Sequence, residues 1–204
     1  MKIRFSKGEL KRQRDALLRY ERYLPTLQLK KQQLQMEILR QLSILEEKRK
    51  AQINKRKQIE AWVGLLADKN ISLHSLIKPR NPSIEARNIA GVDLPVFLNL
   101  EFATVDYDLF TAPLWVDTGL EALKSLIAFN KEIETINSGI VILRHELRIT
   151  TQRVNLFEKV KIPEAEEAIR LIKIYLGDQM ANAVGRSKIA KRKIEIAEEE
   201  EILV

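Results

Sequence analysis

His74 and His145 are the only two histidines in a chain of 204 residues that contains no cysteine, so metal or nucleophilic chemistry has few groups to draw on. His145-Glu146 opens like the zinc-protease helix motif, in which a second histidine four residues on completes a ligand pair on one helix face. Here that position is Ile149. Too few ligands remain for zinc, and His145 reads as a surface helix position. Gly185-Arg186-Ser187-Lys188 has the residue types of a phosphate loop but lacks both the spacing and the preceding strand of one, so nucleotide binding by this chain is not expected. The run Glu198 to Glu201 reads as a solvated tail rather than a cation site. No catalytic residue, cofactor site or metal site is assigned.

The groups left with a possible role are basic. Lys+Arg outnumber Asp+Glu by 35 to 28, a formal net charge of +7, which allows nucleic acid, anionic lipid or an acidic protein as partner. Lys11, Arg12 and Arg14 lie near one terminus, and Lys188, Lys191, Arg192 and Lys193 near the other. If the chain folds back on itself, these clusters share one end and form a single basic tip. No aromatic side chains interleave with them, which disfavours single-stranded nucleic acid, and Glu46, Glu47, Glu158, Glu164, Glu166 and Glu167 dilute any continuous basic face.

The elements that must carry these groups are long helices. One apolar seam keeps Leu10, Leu17, Tyr20, Leu24, Leu27, Leu34, Ile38 and Leu45. A second runs through Leu120, Leu123, Ile127, Ile133, Ile136, Ile140, Leu143, Leu147, Val154 and Phe157, then Ala165, Ala168, Ile169, Ile172 and Leu176. Alternating steps of three and four mark a coiled-coil stripe. The first helix is expected from about Glu9 to Ala67, capped by Ser6 with Glu9 completing a capping box, kinked at Pro25 and ragged in phase after Leu45, through Ile53 and Ile59 to Leu66. Some sixty helical residues would span about 90 Å. The second is expected from Thr118, continuous through Asn137-Ser138-Gly139 and kinked at Pro163. Between them Pro79, Pro82, Pro95 and Pro113 end helical periodicity. Ile84 to Ala90 and Leu94 to Val105 read as a β-hairpin around Gly91-Val92-Asp93, apolar enough in its second strand to require packing on the helices or on a partner.

The sequence thus predicts a mainly α fold, a long antiparallel two-helix coiled coil with a short hairpin region in mid-chain. It divides as 1–67 (first helix), 68–117 (hairpin and connector) and 118–204 (second helix with a charged tail). The lack of cysteine fits the cytosol. The N-terminus turns polar at once, unlike a signal peptide, and no run approaches the roughly 18 apolar residues of a membrane span. A seam this narrow gives each helix one partner face, so further support from a bound partner is expected, and the role is mechanical or connective rather than catalytic.

Three stretches carry a resemblance. Arg87-Asn88-Ile89-Ala90-Gly91-Val92, followed by Pro95 and Phe97, resembles the hairpin signature of the D subunit of the V-type and archaeal-type rotary ATPases. Arg153-Val154-Asn155, Glu158, Ile162-Pro163, Ile169 and Ile172 resemble that family's C-terminal helix signature, and Leu27 to Ile38, with Lys30, Lys31, Leu34, Met36 and Glu37, is similar to its first-helix pattern. Pro25-Thr26 and the polar Gln32, Gln33 and Gln35 depart from it.

The resemblance implies a non-catalytic central-stalk rotor that couples ATP hydrolysis or synthesis in a catalytic hexamer to ion translocation by a membrane ring. It implies as partners the catalytic and regulatory subunits of the hexamer, the F subunit of the stalk and a ring-adaptor subunit, with no nucleic acid, no cofactor and no membrane insertion. The location it implies is cytoplasmic, peripheral to the membrane in the soluble ATPase sector. The partner-contact positions it suggests are Arg87, Asn88, Ile89, Gly91, Arg153, Asn155 and Glu158, to which the basic clusters add Lys11, Arg12, Arg14, Lys191, Arg192 and Lys193. A structural or nucleic-acid-binding coiled-coil scaffold without an ATPase link is the alternative.

Overall fold

Helix α1 spans Lys7–Glu60. A hairpin follows, β1 Ser83–Ile89 and β2 Val92–Asn99. Then come α2 Trp115–Leu156, a π-helical turn Phe157–Lys161, and α3 Ile162–Ile202. The computed structural model describes residues 4–64, 76–103, 113 and 115–202, the last six as backbone only. His74, Leu66, Ala67 and Val105, and the side chains of Glu198 to Glu201, lie outside the described residues. The chain divides into two units, Lys30–Thr150 and Met1–Leu29 with Thr151–Val204, and residues of α1 belong to both.

In the unit Lys30–Thr150, α1 and α2 run antiparallel. Lys30 pairs with Glu146 at 2.9 Å and Lys48 with Glu132 at 2.7 Å, and Gln52 hydrogen-bonds Asn130. Leu34 and Ile38 from α1 meet Leu143 from α2, and Val92 and Leu94 from β2 close the cluster, with Leu42, Ile89, Ala90 and Leu147 packed around it. Leu34 and Leu143 are fully buried. The seam steps of three and four put these side chains on one helix face, while the two-residue period of β2 turns Val92 and Leu94 inward and Asp93 outward. The apolar second strand therefore packs on both helices.

The hairpin turn is Ala90-Gly91, not the expected Gly91-Val92-Asp93. Ile89 pairs directly with Val92, and both turn residues have positive φ, 53° at Ala90 and 75° at Gly91. A two-residue loop of that hand matches the right-handed strand twist. Asn88 clamps it: Gly91 N–H donates to Asn88 Oδ1 at 3.1 Å, and Asn88 Nδ2 donates to Asp93 Oδ1 at 2.7 Å. At the open end the register shifts by one, leaving Leu98 as the extra residue of a bulge. Pairing resumes where Arg80 N–H donates to Glu101 O and Ala103 N–H to Lys78 O, both at 2.9 Å.

Helix α2 begins at Trp115, three residues before the expected Thr118. Val116 N–H donates to Pro113 O at 3.0 Å, and Val116 and Leu120 are buried, so apolar burial of the first turn sets the start and Thr118 does not cap it. Asn137-Ser138-Gly139 does not break the helix. Ser138 Oγ donates back to Thr135 O and Thr135 Oγ1 to Lys131 O, the back-bonding by which hydroxyl residues sit within helices. Gly139 is buried beside the hairpin, where a methyl group would lie 3.9 Å from Pro95 Cδ. At its other end α1 stops at Glu60 rather than running to about Ala67. Trp62 N–H reaches back only three residues, to Ile59 O, the tightened bonding of a helix end.

In the second unit, Ser6 caps α1 through a 3.2 Å bond accepted from Glu9 N–H. Only half of the capping box forms, because Glu9 turns its carboxylate to Gln13 and Arg12. The helix passes through Pro25. The proline supplies no N–H to the preceding turn, and next to it Thr26 Oγ1 donates to Tyr23 O at 2.7 Å. Val154, Ala165, Ala168, Ile169 and Ile172 are buried along a face shared with half-buried Leu10, Leu17, Tyr20, Leu24 and Leu27. The helices again run antiparallel, with Phe5 against Tyr175 and Tyr20 against Phe157. Where a kink at Pro163 was expected, the structure has the π turn just before it, with Ile162 N–H bonding Phe157 O. A ring at position 163 clashes with the carbonyl of Lys159 in α geometry, and the wider turn moves that carbonyl aside.

Candidate partner interface

The four motif positions of the hairpin divide by role. Asn88 and Gly91 build the turn, and Ile89 packs on the helix core. Arg87 is exposed on β1 and, with Arg40, Glu37, Glu132, Leu94 and Phe97, lines a cleft of about 200 Å³ between hairpin and helices. Glu37 accepts a hydrogen bond from Gln41, and Glu132 is held by Lys48. The sequence motif is thus mostly a recipe for the hairpin, and Arg87 is its outward-facing member.

Arg153, Asn155 and Glu158 are exposed. Arg153 and Asn155 flank buried Val154 near the end of α2, and Glu158 sits on the π turn. Neighbouring positions at the end of the π turn and on α3 hold one another. Lys161 donates to Glu164 at 3.0 Å, which raises the lysine pKa. Arg170 grips Glu167 through two bonds of 2.8 and 2.7 Å, lowering the carboxylate and raising the guanidinium.

The basic clusters do not share a tip. Lys11, Arg12 and Arg14 are exposed on α1, with Arg12 3.5 Å from Glu9. Because Phe5 meets Tyr175 in a tilted pair with ring centroids 5.0 Å apart, the start of α1 lies level with Tyr175. Lys191, Arg192 and Lys193 sit sixteen to eighteen residues further along α3, about 24 Å or more. Folding back aligns the helices but does not match their lengths. From Gly177 to Ile196 every side chain of α3 is exposed, among them Met180, Val184, Ile189, Ile194 and Ile196. Leu176, Met180, Val184 and Ile194 fall on one side of this helix and Ile189 and Ile196 on the other, with dense charge between them.

The described residues hold no group of three or more His, Asp or Glu able to hold a metal ion, and none of their helices is long and apolar enough to cross a membrane. His145 is exposed on α2. What the fold defines is a protein of paired long helices with a clamped hairpin and an exposed basic, apolar-striped helix end.

A family model described as the ATP synthase D subunit matches residues 9–192. The chain is 44% identical over 193 residues to a V-type ATP synthase D subunit of Borreliella burgdorferi, covering 95% of each. It is 34% identical over 210 residues to a protein of the same name from Chlamydia caviae (97% of this chain, 96% of that one) and 31% identical over 204 residues to one from Chlamydia pneumoniae (96% and 95%). The chain belongs to the ATP synthase D-subunit family.

Proposed function

We propose that this chain is the non-catalytic central-stalk rotor subunit of a V- or A-type ATPase or ATP synthase. In this reading it couples ATP hydrolysis or synthesis in a hexamer of catalytic and regulatory subunits to ion translocation by a membrane ring. The F subunit of the stalk binds along it, and an adaptor subunit joins it to the ring on the cytoplasmic side of the membrane. The observation that carries the reading is the exposed end of α3: among the described residues no helix packs on Gly177 to Ile196, and apolar side chains and the cations Arg186, Lys188, Arg192 and Lys193 are exposed there. Such a helix has little reason to remain in water alone, and its cations complement a carboxylate-lined socket.

Mechanically, closure of one catalytic interface favours one angle of an asymmetric shaft, and torque on the shaft favours one set of closed interfaces. The coupling is reciprocal by linkage. Helices that run on through Pro25 and through the Asn137-Ser138-Gly139 stretch supply stiffness. The test is to mix the chain with the purified catalytic hexamer from the same source, following co-elution and ATP turnover. One copy per hexamer with altered turnover is expected. Absence of association, with the F subunit also present, would overturn the reading.

A further inference from the structure

A heptad-like seam does not by itself fix how far one helix has slid along the other, because a shift by one repeat presents the same apolar period again. Polar groups within a seam do fix it. In the unit Lys30–Thr150 the seam of α1 turns polar after Leu45: Lys48 and Gln52 are half-buried and face Glu132 and Asn130. At the other end of the same stretch Lys30 meets Glu146 at 2.9 Å, with about a quarter of each side chain exposed.

The hairpin engages both helices at one axial level beside that pair. Val92 and Leu94 insert among Leu34 and Ile38 of α1 and Leu143 of α2. The turn sits over the Lys30 ammonium, since a methyl group on Gly91 would lie 3.9 Å from Lys30 Nζ. Sliding by one helical turn, about 5 Å, would break the pair and the three-element core together.

We propose that the hairpin is a register lock for the α1–α2 pair, with Lys30 and Glu146 as its latch. Docked, it holds one axial alignment. Undocked, it leaves the helices free to take a neighbouring one. Lys30 thereby acts as a positioning residue.

The chain lacks native cysteines, so spin labels can be placed at Glu47→Cys on α1 and Arg148→Cys on α2, exposed positions offset along the pair by about 24 Å from the Lys48–Glu132 level so that a slide changes their separation almost in full, and the distance distribution measured in the full chain. One narrow component is expected for the parent. Leu94→Asp, which unseats the hairpin, should add a component displaced by about 5 Å or a multiple of it, together with faster tryptic cleavage after Arg87. Lys30→Glu should populate the displaced component more weakly, and Lys30→Glu with Glu146→Lys should restore the single one. A hairpin released by Leu94→Asp with an unchanged distribution overturns the proposal. So does a charge swap that leaves the Lys30→Glu distribution uncorrected. If Leu94→Asp loses helical signal, the Lys30→Glu and swap pair decides. The measurement uses the isolated chain, so its failure leaves the stalk reading untouched.

Discussion

Tyr20 of α1 stacks on Phe157, with ring centroids 5.3 Å apart and planes 28° from parallel, and Phe157 is the first residue of the π turn. The widened turn therefore starts at a fixed aromatic contact and ends two residues before Pro163, so the distortion is held between two defined points. Truncating either ring should destabilise the chain by about 1–2 kcal/mol, and the pair should show a coupling of about 1 kcal/mol in a double-mutant cycle. Urea denaturation of the Tyr20→Ala, Phe157→Ala and double variants measures it. Additive losses would mean that the rings touch without supporting each other.

Pro163→Ala should stabilise the chain, because it restores a backbone donor and removes the ring that excludes α geometry. The expected gain is about 1–3 kcal/mol, the range set by proline's cost within a helix. Amide exchange across Phe157–Ile162 should slow in the same variant as the turn tightens. A loss of stability would mean that packing at Phe157, and not the proline, demands the π turn.

Pro163 also marks where sequence reading ended. The seam residues were legible because burial follows helical period: Leu34, Leu143, Val154 and Ile172 sit where their spacing puts them. The hairpin was legible from the loss of helical period at the prolines and the apolar second strand, but its turn lies at Ala90-Gly91 and not at Gly91-Val92-Asp93. Gly91 takes positive φ as glycine readily does, and Ala90 takes it as well, which no propensity for alanine suggests. The Asn88 clamp that stabilises it depends on side-chain geometry and not on residue type alone. The basic tip failed for a different reason. Charge clusters near both termini look adjacent in a folded-back chain only if the two arms are equally long, and α3 outruns the start of α1.

Ala90→Gly should stabilise the hairpin by about 0.5–1 kcal/mol, since glycine takes positive φ without the Cβ penalty. Asn88→Ala should cost about 1–2 kcal/mol through loss of both clamp bonds. Because Ile89, Val92 and Leu94 pack into the helix core, both changes should appear in the thermal midpoint and not only in local exchange. Leu143→Ala sets the scale at about 2–5 kcal/mol for a fully buried leucine, against less than about 0.5 kcal/mol for exposed Leu39→Ala.

The Glu167–Arg170 pair gives a pH prediction. The two guanidinium bonds hold the Glu167 carboxyl below its ordinary value. A carboxylate with a lowered folded pKa contributes stability that is present above its unfolded value and is lost as pH falls through the folded one. Both groups are solvent-exposed, so the contribution is small and screened by salt. An NMR titration should place the Glu167 midpoint below that of an unpaired glutamate. Arg170→Gln, or 1 M salt, should move it upward. A midpoint indifferent to both would remove the pair from any account of acid stability.

Truncation after Leu176 separates folding from assembly. The side chains removed are exposed along α3 as far as Ile196, with Gly185 partly covered, and they cover no described core side chain. The thermal midpoint should therefore stay within about 2 °C of the parent, as for other losses that bury nothing. If the uncovered helix end is what the hexamer holds, the truncated chain should fail to co-elute with it and leave ATP turnover at the hexamer's own rate. Charge and apolar surface can then be told apart within the same segment. Neutralising Lys188, Lys191, Arg192 and Lys193 to Gln should slow association most at low salt, since exposed charges act through steering that ions screen. Met180→Ser with Val184→Ser should speed dissociation with little salt dependence. A truncated chain that binds and modulates the hexamer as the parent does would place the contact elsewhere on the molecule, with Arg153, Asn155 and Glu158 the next positions to alter.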